Sequence, residues 1–303
     1  MHDSIAVAMS GGVDSSVAAW LLRQQGEQAV GVTMRLFVPE DLAPGQREQC
    51  HILEDLQDAQ TVAGQLGIPH HTLDLSGPFQ EQVMEPFVQV YEQGRTPNPC
   101  VTCNRTIKFG ALLEAAGQLG CGRLATGHYA RTERDTGSGR VLLKRAVHPE
   151  KDQSYVLWSL SQAQLERVCF PLGGLSKEEI RAIAEEQGLV SARRWDSQDI
   201  CFVPDGDYAA FLCHHTGRTY SPGPFCDPEG RVLGVHEGII HYTVGQRRGL
   251  KVSSNQGRLY VKELCPQENR VILSDNQALF HRGLTGKELN LIPTERLDRP
   301  IRV

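Results

Sequence analysis

Ser4-Ile5-Ala6-Val7-Ala8-Met9 is an almost continuous apolar run, Ser10-Gly11-Gly12-Val13-Asp14-Ser15-Ser16 interrupts it, and Val17-Ala18-Ala19-Trp20-Leu21-Leu22 resumes at helical spacing. A buried strand that turns on two glycines into a helix is the first half of a βαβ unit. The alternation continues. Ser4–Met9 reads as a strand, Asp14–Gln25 as a helix and Gln28–Leu36 as a second strand. His51–Leu66 carries a helical apolar stripe, His71–Leu75 is a strand, Phe79–Gln93 and Ile107–Leu119 are helical, and Arg123–Thr126 is a short strand. Strands alternating with helices predict an α/β fold, a parallel sheet with helices on both faces. Ligands of such sheets sit at the carboxyl ends of the strands, where Ser10–Ser16 lies.

With 303 residues, the chain is long enough for more than one core. The α/β pattern covers 1–160. Residues 161–215 read as a small helical unit, in which Ser176-Lys177-Glu178-Glu179 is a capping box opening a helix that ends at Gly188. Residues 216–303 are punctuated by Gly and Pro, with β-rich runs at Gly238–Val244, Arg258–Leu264 and Arg270–Ser274, and predict a small β-barrel. Net charge is −5, but it is unevenly placed: −5 in 1–160, −4 in 161–215 and +4 in 216–303. The last third is the part suited to a polyanion. No apolar run is long enough to span a membrane and the start shows no leader pattern, so a cytosolic protein is expected. Nine scattered cysteines in such a chain suggest buried, metal-binding or catalytic thiols rather than a disulfide framework.

A glycine turn ahead of a helix presents backbone N–H groups and a positive dipole end to an anion. The loop lacks the lysine of GxxxxGK[ST] and the spacing of GxGxxG. It also reads as a plain strand–turn–helix with Ser10 or Asp14 as cap. Residues 95–108, RTPNPCVTCNRTIK, pair a rigid proline approach with a CxxC, Cys100 and Cys103. If Asn104 starts a helix, Cys103 sits at its N-terminus with Arg105 and Lys108 near, which favours a thiolate. Half a zinc site and two inert thiols are the alternatives. Cys201, within Ser197-Gln198-Asp199-Ile200-Cys201-Phe202, reads by itself as a buried, inert thiol.

Ser10-Gly11-Gly12-Val13-Asp14-Ser15 resembles the PP-loop of ATP pyrophosphatases, which cleave ATP between the α and β phosphates. Together with TPNP…CN, Ala125-Thr126-Gly127-His128-Tyr129, Lys151-Asp152-Gln153-Ser154-Tyr155, Cys201-Phe202 and the run from Tyr242 to Leu250 (YTVGQRRGL), it is similar to the tRNA-specific 2-thiouridylase family, over Ser4 to about Ser274. The resemblance implies a PP-loop domain of the adenine nucleotide alpha hydrolase-like type, a small central domain carrying a second catalytic cysteine, and a tRNA-binding β-barrel. It implies ATP-dependent 2-thiolation of the wobble uridine: adenylation of the C2 oxygen, then sulfur transfer.

By the same resemblance ATP, with Mg²⁺ placed by Asp14, sits on Ala8, Met9, Ser10, Gly11, Gly12, Val13, Asp14 and Ser15, with Met34 and Gly127 near adenine and ribose. Cys201 carries a persulfide, Cys103 is the nucleophile that completes transfer, and a Cys103–Cys201 disulfide is left to be reduced. Asn98, Pro99 and Cys100 match the segment at the target base, and Lys151, Asp152 and Gln153 match a tRNA-contacting segment. Arg247 and Arg248 are candidates for phosphate contacts. The implied partners are tRNA and a sulfur-donor protein, a cysteine desulfurase or relay, with the enzyme itself expected to be a monomer. Two departures stand out. Cys100 replaces an Asp common in the family, so Cys100, Cys103 and Cys201 form a three-thiol set that a [4Fe–4S] cluster would use with one iron open. The family also continues past a point like Val303, so the barrel is expected to be incomplete. The rival readings are another PP-loop ligase, such as a small-molecule synthetase, which would need no cysteines, and a tRNA- or zinc-binding module with a vestigial loop.

Overall fold

The computed structural model describes residues 4–194, 199–252 and 257–301. Its main sheet holds five parallel strands: β1 (Ser4–Ala8), β2 (Ala29–Arg35), β3 (His70–Asp74), β4 (Cys121–Thr126) and β7 (Val168–Cys169), in the order β3-β2-β1-β4-β7. Between β4 and β7 the chain forms an antiparallel hairpin, β5 (Ala130–Arg134) and β6 (Val141–Arg145). The α/β reading of the sequence is therefore correct.

β1 shows why the sheet is central. Ile5, Ala6 and Val7 are wholly buried, as expected of a strand covered on both faces. Alternation sends Ile5 and Val7 to one face, where they join Val17, Ala18 and Leu22 of the helix Val13–Gln24, Val62 and Ala63 of the helix Ile52–Leu66, and Ile180 and Ala184 of the helix Lys177–Glu186. Ala6 faces the other side, with Phe79, Phe87, Ile107 and Leu112. The connections from β1 run one way to β2 and β3, then the chain returns to the far side of β1 as β4. The strand order reverses between β1 and β4, and the crevice of a doubly wound sheet opens at that reversal.

Residues 161–215 contribute β7 to this sheet, as well as the helix Lys177–Glu186 and the helix Tyr208–Thr216. Ser176 caps the first of these by the capping box read in the sequence, its Oγ accepting from Glu179 N at 3.2 Å. The last part folds as a four-stranded sheet of β8 (Gly223–Cys226), β9 (Val232–His236), β10 (Tyr260–Cys265) and β11 (Arg270–Ser274), in the order β10-β11-β8-β9.

Three readings of local structure are corrected. Gly238–Val244 is not a strand: Gly238 takes φ +131°, and Ile239–His241 is a 3₁₀ turn whose two isoleucines are buried. Phe79–Gln93 is helical but opens with a π-helical stretch, Gln80–Met84. The helix expected from Ile107 starts at Pro99 and passes through a second π-helical stretch, Asn104–Ala111, before Leu112–Gln118. Proline in the first turn and the side chain of Asn98, which accepts from Val101 N at 3.4 Å, account for the earlier start. Among the described residues, no helix is long and apolar enough to cross a membrane.

Where β5 begins, Gly173 lies against its backbone, and a Cβ on Gly173 would fall 1.9 Å from Ala130 O. A backbone atom cannot rotate away, so Gly173→Ala is expected to lower unfolding free energy by about 3 kcal/mol, the upper end for overpacking. Urea denaturation of the purified chain measures it; a loss below the error of extrapolation contradicts this packing.

Candidate active site

The loop after β1 is held open for an anion. Gly12 is the N-cap of the helix Val13–Gln24 and supplies no capping side chain, so the first-turn N–H groups are left for a ligand. Gly11 has φ +76°, and a Cβ there would fall 2.4 Å from Asp55 O. The loop is cross-braced: Ser15 Oγ accepts from Ser10 N at 3.1 Å and lies 3.3 Å from Ser10 Oγ. Neither Ser10 nor Asp14 is the cap. Gly127, just past β4, packs so closely that a Cβ would sit 2.8 Å from Ser15 N. Ala8 and Met9 lead into the loop with Met9 buried, and Met34, half-buried, lies near the end of β2.

Asp14 is tied across the crevice. Its Oδ1 accepts from Tyr129 Oη at 2.7 Å and from Lys177 Nζ at 2.7 Å. The Lys177 side chain is only 8 % exposed and lies 6.0 Å above the Tyr129 ring. Sequence reasoning missed both. Tyr129 ends the ATGHY string, and Lys177 lay inside a capping box, where a lysine is an ordinary surface residue. A buried ammonium beside an anion-binding loop is visible only once the helix Lys177–Glu186 is docked on the helix Val13–Gln24.

The two candidate cysteines, 98 positions apart, come together. Phe202, 1 % exposed, is the anchor: it packs edge-on to Phe79 and Phe87, with ring centroids 5.7 and 5.2 Å away, and tilted against Phe211 at 5.0 Å. Gln46, wholly buried, braces the next loop by donating to Asp205 Oδ1 at 2.7 Å and Asp207 O at 3.0 Å. Cys201 is thereby brought within electrostatic reach of Cys103 and Cys100. Ser197 and Gln198, read as part of this motif, lie outside the described residues.

Cys103 does not have the thiolate-favouring site the sequence suggested. The helix starts at Pro99, so Cys103 ends that segment rather than capping a helix, and it is buried. Burial pushes its thiol up, with the Lys108 ammonium acting the other way. Cys201 contributes accessible surface, yet the protein packed around its thiol, and then the neighbouring Cys103, push it up to about 12. Arg105, the other cation expected beside Cys103, is exposed. Asn104 is buried; its Nδ2 donates to Val156 O at 3.0 Å, and its Oδ1 has no partner among the described residues. His128 lies between Phe109 and Phe170, 2.7 Å from Thr126 Oγ1, and burial holds its pKa well below 6.5.

The three thiols do not make a metal site: among the described residues, no three Cys, His, Asp or Glu side chains converge as ligands. The arrangement does not fit a [4Fe–4S] cluster, and that expectation is dropped. Asp14 is a fitting carboxylate for Mg²⁺ that arrives with a nucleotide, since that ion commonly takes one or two carboxylates plus substrate phosphates.

The remaining predicted residues divide into braces and open surface. Asp152 Oδ1 accepts from Ala146 N at 2.8 Å and Oδ2 from Ser154 Oγ at 2.7 Å; Gln153 Oε1 accepts from Tyr129 N at 2.9 Å. Both hold the Tyr129 turn, with half-buried Lys151 beside them. Asn98 and Cys100 are exposed and Pro99 is buried. Arg247 and Arg248 are exposed on a loop fixed by Gly245 N donating to Val261 O at 2.8 Å and Val261 N to Gln246 O at 2.9 Å. That loop meets the proline segment where Thr96 Oγ1 donates to Thr243 Oγ1 at 3.4 Å.

Residues 3–205 match the family model described as tRNA methyl transferase HUP domain, and 209–275 match the tRNA methyl transferase PRC-barrel domain. A tRNA-specific 2-thiouridylase, MnmA 2 of Thermoanaerobacter sp. strain X514, is 47 % identical over 304 residues, which is all of this chain and 83 % of the relative. MnmA 1 of Caldanaerobacter subterraneus subsp. tengcongensis matches at 47 % and MnmA of Clostridioides difficile strain 630 at 43 %, each over all of this chain and 83 % of the relative. The chain belongs to the tRNA-specific 2-thiouridylase family. Membership accounts for the order of motifs from the glycine loop to YTVGQRRGL, and the PRC-barrel match agrees with the β-barrel reading of the last third.

Two predictions test this geometry. Phe202→Ala is expected to cost about 3–5 kcal/mol of stability and to slow diamide-driven Cys103–Cys201 cross-linking at least tenfold; unchanged cross-linking in a folded variant would show that Phe202 does not place Cys201. His128 is neutral when folded and has an ordinary pKa near 6.5 when unfolded. Acidification below 6.5 protonates the unfolded chain first, so stability falls by up to about 1.4 kcal/mol per pH unit for this one proton. His128→Asn is expected to reduce the stability difference between pH 7.5 and 5.5, and an unreduced difference contradicts a buried neutral imidazole.

Proposed function

We propose that this chain thiolates C2 of the wobble uridine in tRNA at the expense of ATP. The observation that carries the reading is that Cys201, 98 positions from Cys103 in sequence, lies within electrostatic reach of it. Lys108 acts on both thiols and on His128, and His128 follows Gly127, which touches Asp14 and Ser15. Methyl transfer, the word in the family model's description, has no use for such a pair.

The pyrophosphate portion of ATP rests on the first-turn N–H groups from Gly12 onward, with the Lys177 ammonium beside Asp14 as the cation facing the phosphates. Mg²⁺ enters as part of this substrate. Attack of the uridine C2 oxygen on the α phosphorus releases pyrophosphate and turns a poor leaving group into AMP. The terminal sulfur of a Cys201 persulfide then adds to C2 and expels AMP, leaving Cys201–S–S–C2. The Cys103 thiolate attacks Cys201 Sγ; the outer sulfur leaves with the electron pair as the 2-thio group, and a Cys103–Cys201 disulfide remains. An external dithiol returns both cysteines to thiols, and a sulfur-donor protein reloads Cys201. The exposed Asn98 and Cys100 lie at the opening to Cys103, and Arg247 and Arg248 take backbone phosphates.

The test is thiolation of unmodified glutamate, glutamine or lysine tRNA with ATP, Mg²⁺ and a persulfide donor, read as retardation on a mercury-containing gel. Wild type is expected to shift the tRNA, Cys103→Ala and Cys201→Ala to leave it unshifted while still binding ATP, and Lys177→Met to lower AMP release at least a hundredfold. Full thiolation by either cysteine variant would overturn the persulfide route.

A further inference from the structure

Lys108 is a half-buried lysine that makes no hydrogen bond or ion pair with another described residue. It stands five residues after Cys103. In an α-helix at 3.6 residues per turn, positions five apart face well away from one another. Here the intervening segment, Asn104–Ala111, is π-helical: Leu112 N donates to Ile107 O, five residues back, and a Cβ on Gly110 would lie 3.3 Å from Arg105 O, also five back. The wider turn of an i→i+5 helix brings residues five apart onto nearly the same face. Such stretches are rare and concentrate at functional sites. The π-helix is thus what aims Lys108 at the side of the helix that carries Cys103 and meets Cys201.

We infer that Lys108 is the cation of the sulfur-transfer step: its ammonium stabilises the Cys103 thiolate that attacks Cys201 Sγ, and the π-helical register is what places it. The inference rests on the thiolation reading given above. The charged and titratable groups that bear on Cys103 are Lys108 and Cys100; on Cys201 they are Cys103, Lys108 and Cys100. Lys108 is the one cation in this set, and it opposes the burial that otherwise keeps both sulfurs protonated. His128, the other titratable group that registers Lys108, is held neutral and adds no competing charge. Arg105 cannot substitute, being exposed.

The experiment is alkylation of the reduced full chain by iodoacetamide from pH 6.5 to 10.5, under anaerobic conditions, with Cys103 and Cys201 resolved by peptide mass spectrometry. Lys108→Met is expected to move the midpoint of the Cys103 profile up by a unit or more, a roughly tenfold slower rate at pH 8. Lys108→Arg, which keeps the charge, is expected to retain the wild-type midpoint. Lys108→Gln is measured alongside, so that a variant failing to fold by circular dichroism does not decide the outcome. A wild-type midpoint in a folded, uncharged variant overturns the inference, even if its rate is lower at every pH, because a structural role lowers rate without moving the midpoint. The assay contains neither tRNA nor ATP, so it stands or falls separately from tRNA thiolation.

Discussion

The chain leaves β1 on one side for β2 and β3 and comes back on the other for β4 and β7. A parallel sheet wound this way has one crevice at its carboxyl edge, and all the chemistry of this chain depends on it. The glycine loop leaves β1 there, and Gly127 leaves β4 there. Gly127 comes so close to that loop that a Cβ on it would sit 2.8 Å from Ser15 N, while Gly11 is hemmed in from another side by the backbone of Asp55. The same crossing points the helix Lys177–Glu186 at the helix Val13–Gln24, which is how Lys177, 163 residues beyond Asp14, comes to share its carboxylate with Tyr129.

The thiol pair pulls against its own chemistry. Burial that excludes water also protonates the sulfurs. The protein packed around the Cys201 thiol, and then Cys103, push it up to about 12, which favours the protonated form. In the proposed route a Cys201 persulfide would carry the reacting sulfur one atom beyond Sγ, so that penalty would fall on a different atom. In the same route Cys103 would have no such extension and would ionise where it stands. A charge that compensates burial is needed at Cys103 more than at Cys201, and the π-helix places Lys108 from the same helix.

Much of this was legible in the sequence where the signal was periodic or contiguous. The buried centre of β1, the Ser176 capping box and the β10 and β11 strands are each written in a short local pattern. What was not legible depends on partners far along the chain. β8 is only four residues long and is fixed by both its neighbours in the sheet, β9 just after it and β11 nearly fifty residues later. The apolar run at Ile239 and Ile240 mimics a strand because both isoleucines are buried, yet Gly238 turns the chain into a 3₁₀ turn. The helix start at Pro99 was hidden by reading two prolines as an extended approach, although proline at the first helical position is as good a beginning as an ending. π-helical register leaves no mark in apolar spacing over eight residues: Lys108 reads as near Cys103 from closeness in sequence, but the wider turn that brings positions five apart to one side of the helix is not legible there. The two cysteines were matched by family likeness, whereas Phe202, the residue that brings them together, is an ordinary core aromatic in sequence.

An acidic chain that acts on a polyanion must confine its positive potential. Here the last third carries +4 against −9 for the rest, and the exposed Arg247 and Arg248 sit on a loop pinned by backbone hydrogen bonds to Val261. Thr243 at the start of that loop meets Thr96 of the proline segment, so under the proposed function a phosphate on the arginines would set the distance from the nucleic-acid backbone to Asn98 and Cys100. Phosphate contacts carry no sequence information but they set register. A wobble base lies in a loop whose nucleotides can be splayed out, so under the proposed function register on the backbone, rather than base-pair readout, would bring C2 of one uridine to Cys103 and Cys201.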